Sequence, residues 1–130
     1  MLFQCDSTAR MPIYRQLIEQ VREGVARGRL QAGERLPSVR QLSKELVVNP
    51  NTIARAYTEL ERDGVLNTRP GLGVFVANSP SALTLEARRS RVAALVDRLL
   101  TEAVHLGFGS DDVVAMLTER MQKFQFAKEG

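Results

Sequence analysis

Residues 36–76 read LPSVRQLSKELVVNPNTIARAYTELERDGVLNTRPGLGVFV, and the fold is decided in this run. Ser38 stands as an N-cap with Gln41 three residues on, a pair whose side chains satisfy free amides reciprocally at a helix start. Val39, Leu42 and Leu46 then share one face, while Arg40 and Lys44 lie opposite, within reach of a phosphate backbone. After Val47-Val48, Asn49 suits a second cap and Pro50 the first helical position, where its missing amide costs nothing. Two helices spaced so closely form a helix-turn-helix. On the second helix Ile53, Ala56, Tyr57 and Leu60 recur at i, i+3, i+4 and i+7 and face a core. At about 100° per residue, Asn51, Arg55, Thr58 and Arg62 gather on the far side.

A helix needs only its inner face for stability, so the outer face is free to carry information. Asn51, Thr52 and Arg55, near the N-terminal end, are of the types that hydrogen-bond base edges and phosphates, and the unpaired amides of that end favour an anion. Glu59, Glu61 and Asp63 occupy the other end and would repel phosphate, so the first turns are the part expected to dock. Gly64 closes the helix. Val65–Thr68 and Val74–Val76 then read as short strands around the turn Arg69–Gly73, a hairpin placed where a winged helix carries its wing. Gly71 and Gly73 let backbone approach a narrow groove closely, with Arg69 as the inserting side chain.

Upstream, residues 1–11 suggest an extended arm or an edge strand. From Pro12 onward Tyr14, Leu17, Ile18, Val21 and Val25 form one helical stripe ended by Gly28, with Arg15, Arg22, Arg27 and Arg29 mostly on the solvated side. Downstream, Asn78-Ser79-Pro80-Ser81 is a polar breaker and marks a domain boundary. Leu85, Val92, Leu95, Val96, Leu99, Ala103 and Leu106 line a helix of about 20 residues, which Gly107 and Gly109 end. Ser110 is the expected cap of a last helix carrying Val113, Leu117, Met121 and Phe124 on one side. Such a hairpin encloses too little for a core with a ligand cavity, so its stripes are expected to bury against a second copy. The fold expected is mainly α with a small β-hairpin wing: a winged helix-turn-helix domain over residues 1–77, then a two-helix dimerisation hairpin over 82–126. The dimerising set is Val92, Val96, Leu99, Ala103, Leu106, Leu117, Met121 and Phe124.

Composition fits these readings. The net charge is +3, and residues 1–80 hold 11 Lys and Arg against 8 Asp and Glu, whereas residues 81–130 hold 7 against 7. The excess sits with the helix-turn-helix, as a polyanion partner requires. One cysteine, Cys5, excludes an internal disulfide, no run approaches the roughly 20 apolar residues of a membrane span, and the N-terminus lacks a secretory pattern. A cytoplasmic protein without membrane contact is expected. His105 has no metal-spaced companions, and no nucleophile triad, phosphate loop or paired-acid motif appears, so neither catalysis nor a cofactor is expected.

The run Gly33-Glu34-Arg35-Leu36-Pro37-Ser38-Val39-Arg40-Gln41-Leu42, followed by Val48–Tyr57 and the Gly71-Leu72-Gly73 tip, closely resembles the GntR family of bacterial transcription regulators over residues 12–77; the short two-helix tail resembles its YtrA subfamily. The resemblance implies a homodimeric repressor on an inverted-repeat operator of double-stranded DNA, often beside transporter genes. It places Arg40 on a phosphate or guanine, Asn49, Asn51 and Thr52 at the helix start, and Gly71 near the minor groove. The full DNA-contacting set is then Arg35, Ser38, Arg40, Asn49, Asn51, Thr52, Arg55, Arg69, Gly71 and Gly73. Pro50 and Ala54 stand where some branches carry basic residues, so base preference does not transfer, and Arg55 is the substitute. A tail of about 50 residues argues against the small-molecule effector pocket of relatives with large C-terminal domains. Two other functions compete: a winged helix serving as a protein adaptor, and a fragment of an enzyme regulator, which the charged stop Lys128-Glu129-Gly130 disfavours.

Overall fold

The computed structural model describes residues 3–78 and 83–127. The chain divides into two units, Met1–Ser79 and Pro80–Gly130. The expected breaker at Asn78–Ser81 and the stop Lys128–Gly130 lie largely outside the described residues.

In the first unit, α1 (Ile13–Ala26) packs along α3 (Pro50–Arg62), and α2 (Val39–Leu46) closes the third side. Leu17, Ile18 and Val21 of α1 meet Leu42 of α2 and Ile53, Ala56, Tyr57 and Leu60 of α3 in one hydrophobic core. Pro12 is the N-cap of α1, one residue outside the first helical position that its sequence suggested. Nor do residues 3–11 of the N-terminal arm form a strand. Phe3 is buried in the core, and two glutamine side chains of α1 hold the arm behind it. Gln16 Oε1 accepts from the Asp6 amide at 2.9 Å while its Nε2 donates to the Asp6 and Met11 carbonyls at 2.9 and 2.8 Å. Gln20 pairs with the backbone of Gln4 in the same two-way fashion. A primary amide carries the donor and acceptor of a peptide unit, so two of them one helical turn apart replace the ladder of a partner strand.

Ser38 caps α2, its Oγ accepting from the Gln41 amide at 3.0 Å. The reciprocal half is missing, because Gln41 Nε2 donates to Glu45 Oε1 instead. Between α2 and α3 the chain reverses at Val47, with φ 54° and ψ 52°. Ser43 locks the reversal: its carbonyl accepts from the Val48 amide at 3.1 Å, and its hydroxyl donates to the Val48 carbonyl at 2.6 Å. Tyr57 ties α3 to the segment before α2 by donating from its hydroxyl to the Pro37 carbonyl at 2.7 Å.

The hairpin consists of β1 (Leu66–Arg69) and β2 (Gly73–Val76), antiparallel, with Asn67 opposite Phe75 and Arg69 opposite Gly73. Pairing therefore reaches Arg69 and Gly73, and only Pro70–Leu72 form the tip. A second set of bonds, which no local pattern announces, runs along the other edge of β2. There the Gly33 amide donates to Val76, Val76 to Glu34 and Leu36 to Val74, each at 2.8 Å, with Arg35 bridged to Phe75. The connection before α2 thus acts as a third strand and fastens the wing to the core.

The second unit holds α4 (Leu85–His105) and α5 (Ser110–Met121). Thr84 caps α4 through its hydroxyl, which accepts from the Ala87 amide at 3.1 Å. Leu106 is the C-cap residue, after the helix proper. Ser110 does not cap α5: Gly109 holds that position, and its amide donates to Asp112 Oδ2 at 3.2 Å. An acid three residues into the helix reaches back as well as a serine at its start. Phe124 lies three residues beyond α5 and is not on its apolar side. Val113 is the one buried residue of either tail helix. No helix among the described residues is long and apolar enough to cross a membrane.

Candidate nucleic-acid interface

One side of the first unit carries the exposed faces of α2 and of the start of α3, the two helices joined by the tight Val47 turn. Arg40 and Lys44 are exposed on α2; Asn49, Asn51, Arg55, Thr58 and Arg62 are exposed along α3, and Thr52 is half-buried. The burial of Ile53, Ala56, Tyr57 and Leu60 fixes this choice of face, since the same helix cannot present both.

The start of α3 differs from the sequence reading in one chemical respect. Asn49 Oδ1 accepts from the Asn51 amide at 2.8 Å, the Thr52 amide bonds the Asn49 carbonyl at 3.0 Å, and Pro50 has no amide to offer. The first-turn donors are thus satisfied locally. Anion attraction here rests on the helix dipole and on side chains rather than on free amides. Ser38 and Asn49 each spend an oxygen on a cap, which leaves the Ser38 hydroxyl proton and the Asn49 amide group as their outward donors.

Arg55 is 60% exposed but not unattended. Its guanidinium carbon sits 3.7 Å from the centroid of the Tyr14 ring, and its Nε lies 3.6 Å from Glu59 Oε1. Glu59 is therefore turned back toward Arg55, while Glu61 is engaged with the wing, its Oε2 accepting from Thr68 Oγ1 at 3.2 Å. The sequence placed Tyr14 in the core stripe of α1. That it also lies under Arg55 follows from how α1 crosses α3, which no local pattern encodes.

At the wing, Arg69 does not project from the tip. Its guanidinium lies over the Phe75 ring, 4.3 Å from the centroid, and the outward tip side chain is Leu72, 61% exposed. The two tip glycines have different reasons. Gly71 has φ 77° with open space where a side chain would stand, so conformation alone selects it. Gly73 has φ 128°, and a Cβ there would fall 2.9 Å from Arg35 Nε. Arg35 consequently lies against the base of the wing, where the third-strand pairing brings it. Arg35 and Arg69 both flank Phe75 and put two positive charges on one face of the small sheet.

Residues 13–76 match the family described as bacterial regulatory proteins, gntR family. The HTH-type transcriptional repressor YtrA of Bacillus subtilis (strain 168) is 33% identical over 106 residues, covering 82% of each chain. A Listeria monocytogenes EGD-e structure described as a transcriptional antiterminator is similar over 100% of this chain and 98% of its own, with a TM-score of 0.77 and 30% identity. The DNA-binding domain of AraR, solved in complex with operator ORE1, is similar over 58% of this chain and 95% of its own, with a TM-score of 0.50 and 28% identity. These likenesses run through the helix-turn-helix and wing described above, and the relatives named are regulators of transcription rather than enzymes. The chain belongs to the gntR family of bacterial regulatory proteins, as a DNA-binding transcription regulator with a winged helix-turn-helix.

Proposed function

We propose that the protein is a homodimeric repressor that binds an inverted-repeat operator, each copy placing the first turns of α3 in a major groove. The observation that carries this reading is the composition of the exposed α3 start: Asn49, Asn51 and Arg55 present amide and guanidinium donors of the kind that discriminate base edges. Arg40 on α2 is set to hold a phosphate, and the open Gly71 tip to approach the minor groove. Likeness to a protein named as a repressor supports the direction of control. The family resemblance implies an operon containing the regulator's own gene, beside a transporter.

The tail supports dimerisation. No α4 residue is buried, and Val92, Leu95, Val96, Leu99, Leu117 and Met121 are all exposed apolar side chains. Between α4 and α5 an apolar groove of about 400 Å³, lined by Leu99, Ala103, Leu106, Val113 and Leu117 among others, stays open. Large apolar side chains exposed along both helices are the kind of surface that interaction sites use. A second copy is the occupant that an inverted repeat demands.

Selection from a random duplex pool with the full chain tests the proposal. Enrichment of an inverted repeat, with half-site centres roughly 34 Å apart, is expected. A chain that enriches no sequence, and whose duplex affinity is negligible at about 50 mM salt, is an adaptor and not a repressor.

A further inference from the structure

Arg55 is served by a helix other than its own. Its guanidinium lies 3.7 Å from the centroid of the Tyr14 ring, and Tyr14 belongs to the first turn of α1. Tyr14 packs half-buried against the core, so the ring is the fixed member of the pair and the arginine the movable one. Glu59, one turn further along α3, faces the Nε edge at 3.6 Å. A guanidinium stacked on its flat face keeps its N–H groups in the ring-parallel plane, free to donate outward. With Nε turned to Glu59, the outward edge is the terminal nitrogens, which carry no hydrogen bond among the described residues.

We infer that Tyr14 is a positioning residue for sequence recognition: its ring, with Glu59 as a side stop, presets the Arg55 guanidinium so that a base contact of α3 is fixed from α1. The inference rests on the proposed docking of the α3 start in the major groove. An unsupported arginine has many rotamers and loses that freedom on binding. One already seated in the free protein has paid most of that loss in folding, and the contact it makes is tighter and confined to one geometry. The ring face does this work, and the Tyr14 hydroxyl has no hydrogen-bond partner among the described residues. Phenylalanine should therefore replace Tyr14, and an aliphatic side chain should not.

The test uses the full chain and a duplex that the wild type has itself selected from a random pool. Affinities and single-base-pair preferences are measured at one salt concentration for Tyr14→Phe, Tyr14→Leu, Tyr14→Met, Arg55→Ala and the Tyr14→Leu/Arg55→Ala double variant. Circular dichroism at the assay temperature reports which variants are folded, and Tyr14→Met stands in if the leucine variant is not. Tyr14→Leu is expected to lose roughly tenfold in affinity and to relax preference at the same base pair as Arg55→Ala. Tyr14→Phe should stay within about twofold of wild type, and the double variant should bind no more weakly than Arg55→Ala. Two results overturn the inference alone. One is Tyr14→Leu at wild-type affinity beside a weakened Arg55→Ala; the other is an equal further loss when Tyr14→Leu is added to Arg55→Ala, which marks an effect through the fold. Wild-type binding by Arg55→Ala overturns the docking of that residue and this inference with it.

Discussion

Val47 is a β-branched residue at φ 54°, and it is 90% exposed, so nothing packs on it to repay the conformation. Left-handed backbone costs an L-residue roughly 1–2 kcal/mol, while glycine gives back about 0.5–1 kcal/mol in unfolded-state entropy. Val47→Gly is expected to raise stability by about 0.5–1 kcal/mol, read as a higher denaturant midpoint at unchanged slope. A lower midpoint would mean the turn is not strained. Tyr57 makes the opposite case. Burial, and then the charge of Glu45, push its hydroxyl well above the usual 10.0, so it stays protonated and keeps donating to the Pro37 carbonyl. Tyr57→Phe leaves that carbonyl short of a donor and should cost about 1 kcal/mol near neutral pH. The folded state holds the Tyr57 proton more tightly than the unfolded chain does. Stability from this group is thus complete below pH 10 and falls as the pH rises beyond it. Stability curves of wild type and Tyr57→Phe should converge above about pH 10; parallel curves there would contradict the assignment.

At the scale of elements, the proposed docking divides the work of binding, α2 supplying position and α3 sequence. Arg40→Ala should weaken binding to all duplexes alike, whereas Arg55→Ala should cost about 1–3 kcal/mol on the selected duplex and relax one base position. Titrations against the selected duplex and a scrambled one separate the two, and equal losses for Arg55→Ala on both would remove it from base reading. In the wing, Gly73→Ala must bear both positive φ and displacement of Arg35, while Gly71→Ala bears φ alone. Gly73→Ala should be the more destabilising in thermal melts, and the reverse order would mean that Arg35 does not hold the wing base. Helices of this kind were legible in the sequence because caps and a 3.6-residue period are local: Ser38, Asn49 and the Ile53–Leu60 stripe announce themselves within ten residues. The third-strand pairing of Gly33–Leu36, the burial of Phe3 and the stacking of Arg55 on Tyr14 join residues 16 to 43 positions apart. No spacing rule reaches them. The cap of α5 was misplaced for a different reason, since both Ser110 and Asp112 suit a helix start and only geometry shows that the acid takes the Gly109 amide.

For the whole molecule, the tail decides whether one reading helix suffices. A single short helix and a wing limit the base pairs one copy can address, and the proposed doubling through the exposed faces of α4 and α5 would give an inverted repeat its meaning. Leu99 lies on the α4 stripe and lines the groove facing α5, so a charge there is buried if the interface forms. Leu99→Asp is expected to give monomers by light scattering together with a large loss of affinity for the selected duplex. The most direct measurement is the mass of the complex that wild-type chain forms with its selected duplex, determined by light scattering at saturation. Two 14.5 kDa chains on each inverted repeat are expected. A single chain per duplex at saturation would contradict the proposed dimer.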